Sequence, residues 1–397
     1  MDSRMPHFRH MDINVFFKPS KFREILPDNL HPSQLIHHTH FFEGEPEEFE
    51  NKSIAIIGVC EDRNAGKNAG CAAGPDAIRA FLYQLYCWDE KVNIIDLGNI
   101  EPGNEITDTY YALNQTCQFL LRKKILPLII GGSQDLTYAN YLAYENLEQT
   151  VNLVTIDHRL DFGKGEATGH GDYLNKIILH KPNYLFNFSN IGHQRYLVEP
   201  ELLELVTNMY FDVFRLGEIQ TAPHVAEPIL RNADMISFDV SSIRMSEAPG
   251  SAYAGPNGFY GDEAAQLCRY AGMSDKLSSF GIYEYNPSLD RNGQTAHLVA
   301  QLIWCFIEGF TQRKQDYPAG TYDDYLKYMV HIAGEQHELT FYKSNKSDRW
   351  WMDVPYPSGQ DIKYERHHLV PCTYEEYQQA TNEEVPDRWW KTYQKLT

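Results

Sequence analysis

Short apolar runs alternate along this chain with stretches of helical spacing, and that alternation sets the fold class before any single residue does. The first strong run is KSIAIIGVCED at 52–62, followed by VNIIDLGNI (92–100), LPLIIGG (126–132), VNLVTID (151–157), NFSNIGHQ (187–194), FDVFRLGEI (211–219), ADMISFDV (233–240) and SSFGIYEYN (278–286). Between them, GPDAIRAFLYQLY, TDTYYALNQTCQFLLRKK, EPELLELVTNMY, DEAAQLCRYAG and TAHLVAQLIWCFIEGF carry apolar residues at helical intervals, with Pro75 suited to a first helical turn. Runs that are apolar at nearly every position, rather than at every second one, belong to strands covered on both faces. The pattern therefore predicts a three-layer α/β/α fold on a mainly parallel sheet of about eight strands with helical crossovers.

The flanks break the pattern. Residues 1–51 are rich in His, Pro and Phe without a sustained period and read as an ordered but irregular arm; 52–310 form the α/β domain. From 311 to 397 the composition turns to Tyr, Trp, Lys, Glu and Asp, with RWWMDVPYP at 349–357 and DRWWKTYQKL at 387–396. Exposed Trp pairs are unfavourably hydrated, so this extension is expected to pack on the core or on a partner, through a protein contact or self-assembly.

Charge and cysteine usage narrow the function classes. With 35 basic and 54 acidic residues the formal charge is -19, which repels nucleic acid and an anionic membrane surface. The start, MDSRMPHFRHMDINVFF, is charged throughout, and no run of about 18 apolar residues occurs, so neither a signal peptide nor membrane insertion is expected and a cytoplasmic location is. Cysteines 60, 71, 87, 117, 268, 305 and 372 are scattered and never form CxxC, which argues for reduced thiols over a disulfide framework or a zinc cluster. The pairs His37-His38 and His367-His368 are weak metal signals.

Several strand-like runs end in polar residues that would meet at one rim of the sheet. LPLIIGGSQD delivers Gln134, VTIDHRLDF delivers Asp157, Arg159 and Asp161, and ISFDVSSIR delivers Asp239, Ser241 and Arg244. If the strand continued through 157–161, alternation would put Asp157, Arg159 and Asp161 on one face and His158 on the other. The ordered set of GPDAIR, GGSQD, DHRLD, SFDVSSIR, APG and YEYNP resembles the ureohydrolase superfamily of arginase, agmatinase and formimidoylglutamase over residues 54–310, with a lean toward formimidoylglutamase.

That resemblance implies two manganese ions held by four aspartates and two histidines, whose bound hydroxide attacks a guanidinium or formimidoyl carbon. Position by position, Asp157, Asp161 and Asp239 stand in ligand places. Gln134 and Arg159 replace the two histidines, and Ser241 replaces the fourth aspartate. His170 matches a proton-shuttling histidine and Glu284 an acid near the substrate's amidino group. Without metal, each pair of carboxylates about 4 Å apart would repel by about 4 kcal/mol at an effective dielectric near 20, so Arg159, with Arg244, is expected to supply replacement charge. The leading expectation is a protein that has lost two-manganese C–N hydrolysis, needs no cofactor, and acts in binding or assembly. Two others stand beside it: an active formimidoylglutamase-like hydrolase with one Mn²⁺ on the three aspartates, and a metal-free sensor of a small guanidino or amidino ligand. The resemblance also implies a trimer or hexamer.

Overall fold

The computed structural model describes residues 13–88, 92–162, 171–318, 322–332, 337–357 and 365–397. Its centre is a ten-stranded sheet. In chain order the strands are β1 (Phe17–Lys18), β2 (Thr39–Phe41), β3 (Ile54–Val59), β4 (Ile94–Ile100), β5 (Leu126–Ile130), β6 (Val151–Ile156), β7 (Leu185–His193), β8 (Asp212–Arg215), β9 (Met235–Asp239) and β10 (Ser279–Tyr283). Eight of them run parallel in the order β4-β3-β5-β10-β9-β6-β7-β8. The arm read as irregular supplies the other two: β2 lies parallel to the first half of β4, and β1 antiparallel to its second half.

Side-chain alternation along each strand divides the core between the two faces. Ile54 and Ile56 of β3 pack with α1 (Gly74–Leu82), α8 (Gly261–Gly272) and α9 (Gln294–Thr311), as do Leu128 and Ile130 of β5. Ala55, Ile57 and Val59 face the opposite way, onto α2 (Ile106–Arg122) and α3 (Leu136–Glu145). Both faces being covered explains why the strands carry no polar alternation. One polar network is buried among them: Arg79 of α1, wholly inaccessible, forms a bidentate pair with Asp96 of β4 at 2.8 and 2.9 Å and donates to Asn99 at 2.6 Å. The arginine of GPDAIR is thus a bolt between helix and sheet, with both charges compensated.

Beyond α9 a four-stranded antiparallel sheet follows, β11 (Tyr325–Ile332), β12 (His337–Ser344), β13 (Trp350–Asp353) and β14 (Leu369–Cys372), with helices Tyr374–Thr381 and Asp387–Leu396 packed on it. Arg231, 3 % exposed on α7 (Ala226–Arg231), ties this unit to the core: it donates to the carbonyls of Trp350 (3.1 Å) and Cys372 (3.2 Å), and its guanidinium lies 4.3 Å from the Trp351 ring centre. Arg366 donates to the buried Asp234 at 2.6 Å, and His367 stacks on Phe186. Trp350 and Trp351 are buried, whereas Trp390 is half exposed. All seven cysteines are free thiols. No helix among the described residues is long and apolar enough to cross a membrane.

Candidate functional site

Four adjacent strands, β5, β10, β9 and β6, end side by side and present Gln134, Glu284, Asp239 and Asp157. The register sets Tyr283 against Asp239 and Ile156 against Phe238, which brings the carboxyl ends level. After β5 the chain turns through Gly131 and Gly132. A Cβ on Gly132 would sit 2.0 Å from the carbonyl oxygen of Glu61, so only glycine lets the two loops approach this closely. After β10, Glu284 adopts φ +68°, a left-handed conformation that costs a non-glycine residue free energy and is found where surroundings over-determine the backbone. Here they do. Its N–H donates to Gly132 O at 2.9 Å, while its carboxylate accepts from Gln134 N at 2.8 Å and Asn68 Nδ2 at 2.7 Å.

Asp157 and Asp239 are buried and Asp161 is half-buried, and the three face one another's charge. Asp157 (1 % exposed) accepts from Arg159 N at 2.9 Å, and Asp239 (6 %) from Ser241 N at 2.7 Å. Burial, then the charge of Asp157, pushes the Asp239 carboxyl up to about 7. Asp161 is raised well above the usual carboxylate range by desolvation, then by Asp157, Asp239 and Glu284. Glu284 is raised for the same first reason and then by Asp239. The three aspartates and Glu284 therefore form one coupled acidic cluster, reached by no cation within ion-pairing distance among the described residues except through His158.

His158 is the residue that the strand pattern misplaces. β6 ends at Ile156, so alternation lapses before position 158. The imidazole folds back into the cluster: Nδ1 lies 3.2 Å from Asp157 Oδ1 and 3.1 Å from Ser241 Oγ, with Nε2 buried and without a partner among the described residues. One ligand atom from each of Asp157, His158 and Asp239 falls within 4.8 Å of the other two, the only such metal-type grouping among the described residues. The signal for His158 was present in DHRLD as a histidine one place before the substituted position, and it becomes legible only once the strand end is known.

The two arginines expected among the carboxylates lie elsewhere. Arg159 turns its guanidinium toward the Tyr253 ring, 5.5 Å from its centre, and forms no ion pair with an aspartate among the described residues; it reaches Asp161 only as a field that lowers that carboxyl's affinity for protons. Arg244 lies 3.2 Å over the Tyr260 ring and donates to Gly258 O at 3.1 Å. Both follow from the loop geometry after the strand ends, where an aromatic face offers a planar cation an alternative to a crowded acid floor. Gln134, 3 % exposed, spends its amide on Ser237 Oγ at 3.2 Å. His170 lies outside the described residues.

A family model described as the arginase family matches residues 52–308 of this chain. The chain belongs to the arginase family. Among curated relatives, it is 26 % identical to a formimidoylglutamase of Lysinibacillus sphaericus over 274 residues, spanning 64 % of this chain and 84 % of that one. A formimidoylglutamase of Staphylococcus haemolyticus is 25 % identical over 297 residues, 71 % of this chain and 96 % of its own. In three dimensions the arginase-family fold is shared with formiminoglutamase of Trypanosoma cruzi crystallised with Mn²⁺, at a TM-score of 0.63 and 22 % identity over 68 % of this chain and 97 % of that one. Formimidoylglutamase of Bacillus subtilis superposes with a TM-score of 0.64 at 19 % identity, covering 72 % and 94 % of the two chains. The family match stops at residue 308, before the antiparallel sheet and its two helices begin.

Proposed function

We propose that this arginase-family chain has lost the two-manganese hydrolysis to which its resemblance points and retains the site as a metal-free pocket for a small amidino or guanidino ligand, within a binding or assembly component. The donor set carries this reading. A dinuclear centre needs donors on both sides of each bridging carboxylate. Here the Gln134 amide nitrogen is bonded to Ser237, the Ser241 hydroxyl to His158, and the Arg159 guanidinium is turned to Tyr253, so three of six family ligand positions lack the imidazole or carboxylate that the family uses to hold a second cation. The residues present do not fit two ions.

What remains suits recognition of a cation. Asp157, Asp161, Asp239 and Glu284 share one acidic floor, and the raised proton affinities of Asp161, Asp239 and Glu284 measure how much positive charge it lacks. An amidinium, planar and charged, satisfies two carboxylates at once. Without a metal, a water molecule in the pocket keeps a pKa near that of bulk water, and the main source of a nucleophile at neutral pH is gone.

A second reading, hydrolysis of a linear amidine with a single cation, is favoured by one observation: the convergence of Asp157, His158 and Asp239. One assay separates the two. Purified protein supplied with excess Mn²⁺ is offered arginine, agmatine and formimidoylglutamate, and urea, formamide and ammonia are measured. Loss of hydrolysis requires no metal-dependent release from any of them, and a metal-dependent turnover overturns it.

A further inference from the structure

Three neighbouring strands of the central sheet depart from its apolar rule on one face. Asn152 of β6 lies opposite Asn187 of β7, and Ser189 of β7 opposite Asp212 of β8, while the reverse face of the same strands carries Leu153, Phe188 and Val213 in a packed apolar cluster. Over the polar face lies a cavity of about 350 Å³. It sits near the start of β6, at the end of that strand away from Asp157. One wall comes from the sheet and α7, the other from the C-terminal unit: Val370 of β14, and Glu376, Gln379, Arg388 and Lys391 of the last two helices. The second wall lies wholly beyond the family match, which ends at residue 308.

The cations on this wall are already paired. Lys391 meets Asp212 at 3.2 Å and Asp387 at 2.8 Å, and Arg388 meets Glu376 at 3.1 Å; with Glu375, the lining holds four carboxylates against two cations. Glu375 and Asp387 are exposed, so an approaching anion meets negative charge first. The side-chain amides are what remains to bind with. Asn152 is 2 % exposed and its Nδ2 donates to Asn232 O at 2.9 Å, but its Oδ1 is buried without a partner among the described residues. Such a group is costly and uncommon, and it marks a place for a donor. Asn232 accepts from Lys276 at 2.9 Å through Oδ1, which leaves its N–H₂ group, and the Gln379 side chain forms no hydrogen bond among the described residues. Val154, Phe214, Val225, Ile229 and Val370 supply apolar surface between these amides.

We infer that this cavity, between the arginase-family domain and the C-terminal unit, is a binding site for an uncharged nucleobase, free or as a nucleoside. A side-chain amide sets a donor beside an acceptor, the pairing that the edge of a nucleobase presents, and a planar ring suits the apolar surface between the amides. The volume is that of a small-molecule site, and the committed cations leave none for a phosphate. The inference goes beyond the proposed function and stands apart from it, since the acidic floor lies at the other end of β6.

The test is calorimetric titration of the full chain with adenine, adenosine, uracil and uridine. At least one base or its nucleoside is expected to give a saturable isotherm with one site per chain, and the matching nucleoside 5′-monophosphate should bind at least about tenfold more weakly. Comparing base with nucleoside tells the two forms of the ligand apart. Sorbitol, which offers hydroxyls without a planar amide edge, should not bind at the same concentrations. Gln379→Leu removes an uncommitted amide at a half-exposed helical position, where the risk to folding is small, and should weaken binding about fivefold. Gln379→Trp, filling the cavity from the same position, should abolish it. No isotherm with any of the four up to millimolar concentration, a monophosphate that binds as tightly as its nucleoside, equal binding of sorbitol, or an affinity that neither substitution lowers overturns the inference.

Discussion

Replacing Asp239 by asparagine should make the metal-free protein more stable, and the effect should grow with pH. Asp239 is 6 % exposed, and its carboxyl is pushed from an ordinary 3.8 up to about 7, by burial first and by Asp157 second. A carboxyl that binds protons more tightly folded than unfolded favours folding fully below its unfolded value. That contribution is lost as pH rises through the folded value, so the window runs from about 4 to about 7. At about 1.4 kcal/mol per tenfold change in proton affinity, a gap of roughly three decades amounts to about 4 kcal/mol above pH 7 and about 2 kcal/mol near pH 5. Relaxation of the neighbouring acids will absorb part of this, so about 2–4 kcal/mol is expected at pH 8. The introduced amide would keep an oxygen for the Ser241 N–H that now donates to Asp239 at 2.7 Å, so the substitution removes charge without removing that bond. Urea unfolding of chelator-treated wild type and Asp239→Asn at pH 8 and pH 4 measures the difference directly. A variant that is neutral or less stable at pH 8 would show that a cation already balances the cluster, and the electrostatic reasoning would fail.

Three other outcomes follow from the same structure. Gly132→Ala places a Cβ 2.0 Å from the backbone carbonyl of Glu61, which has no rotamer to change, so a loss of about 3 kcal/mol or of soluble protein is expected in a thermal melt. Arg231→Ala removes a 3 %-exposed cation that holds two carbonyls of the C-terminal sheet and pairs with Glu227 at 3.0 Å; about 3–5 kcal/mol should be lost, with limited proteolysis releasing the segment after α9 first. The triple substitution Gln134→His, Arg159→His and Ser241→Asp should confer Mn²⁺ binding, read as a calorimetric isotherm absent from the parent.

The sheet was legible because strands covered on both faces leave nearly unbroken apolar runs: IAIIGV of β3 and LPLII of β5 are buried at every position. The rim acids were legible because each run stops at them. What followed the strand ends was not, since side-chain direction there depends on loop dihedrals that no period encodes. His158 was assigned away from Asp157 and sits 3.2 Å from it, and Arg159 was placed among the acids and stacks toward Tyr253. The C-terminal sheet escaped for a different reason. The exposures along β11 are mixed and it is an edge strand paired with β12 alone, so the Trp and Tyr content signalled packing without signalling antiparallel strands. Arg231 could not be singled out from the sequence, because its partners Trp350 and Cys372 lie more than a hundred residues away.

Manganese stoichiometry tests the proposed loss of hydrolysis most directly. Full-length protein purified without chelator, equilibrated with excess Mn²⁺ and passed through a desalting column, is submitted to elemental analysis. A lost dinuclear centre predicts far less than one ion per chain after desalting. Retention of two ions per chain would contradict it and return this chain to the metal-dependent hydrolases.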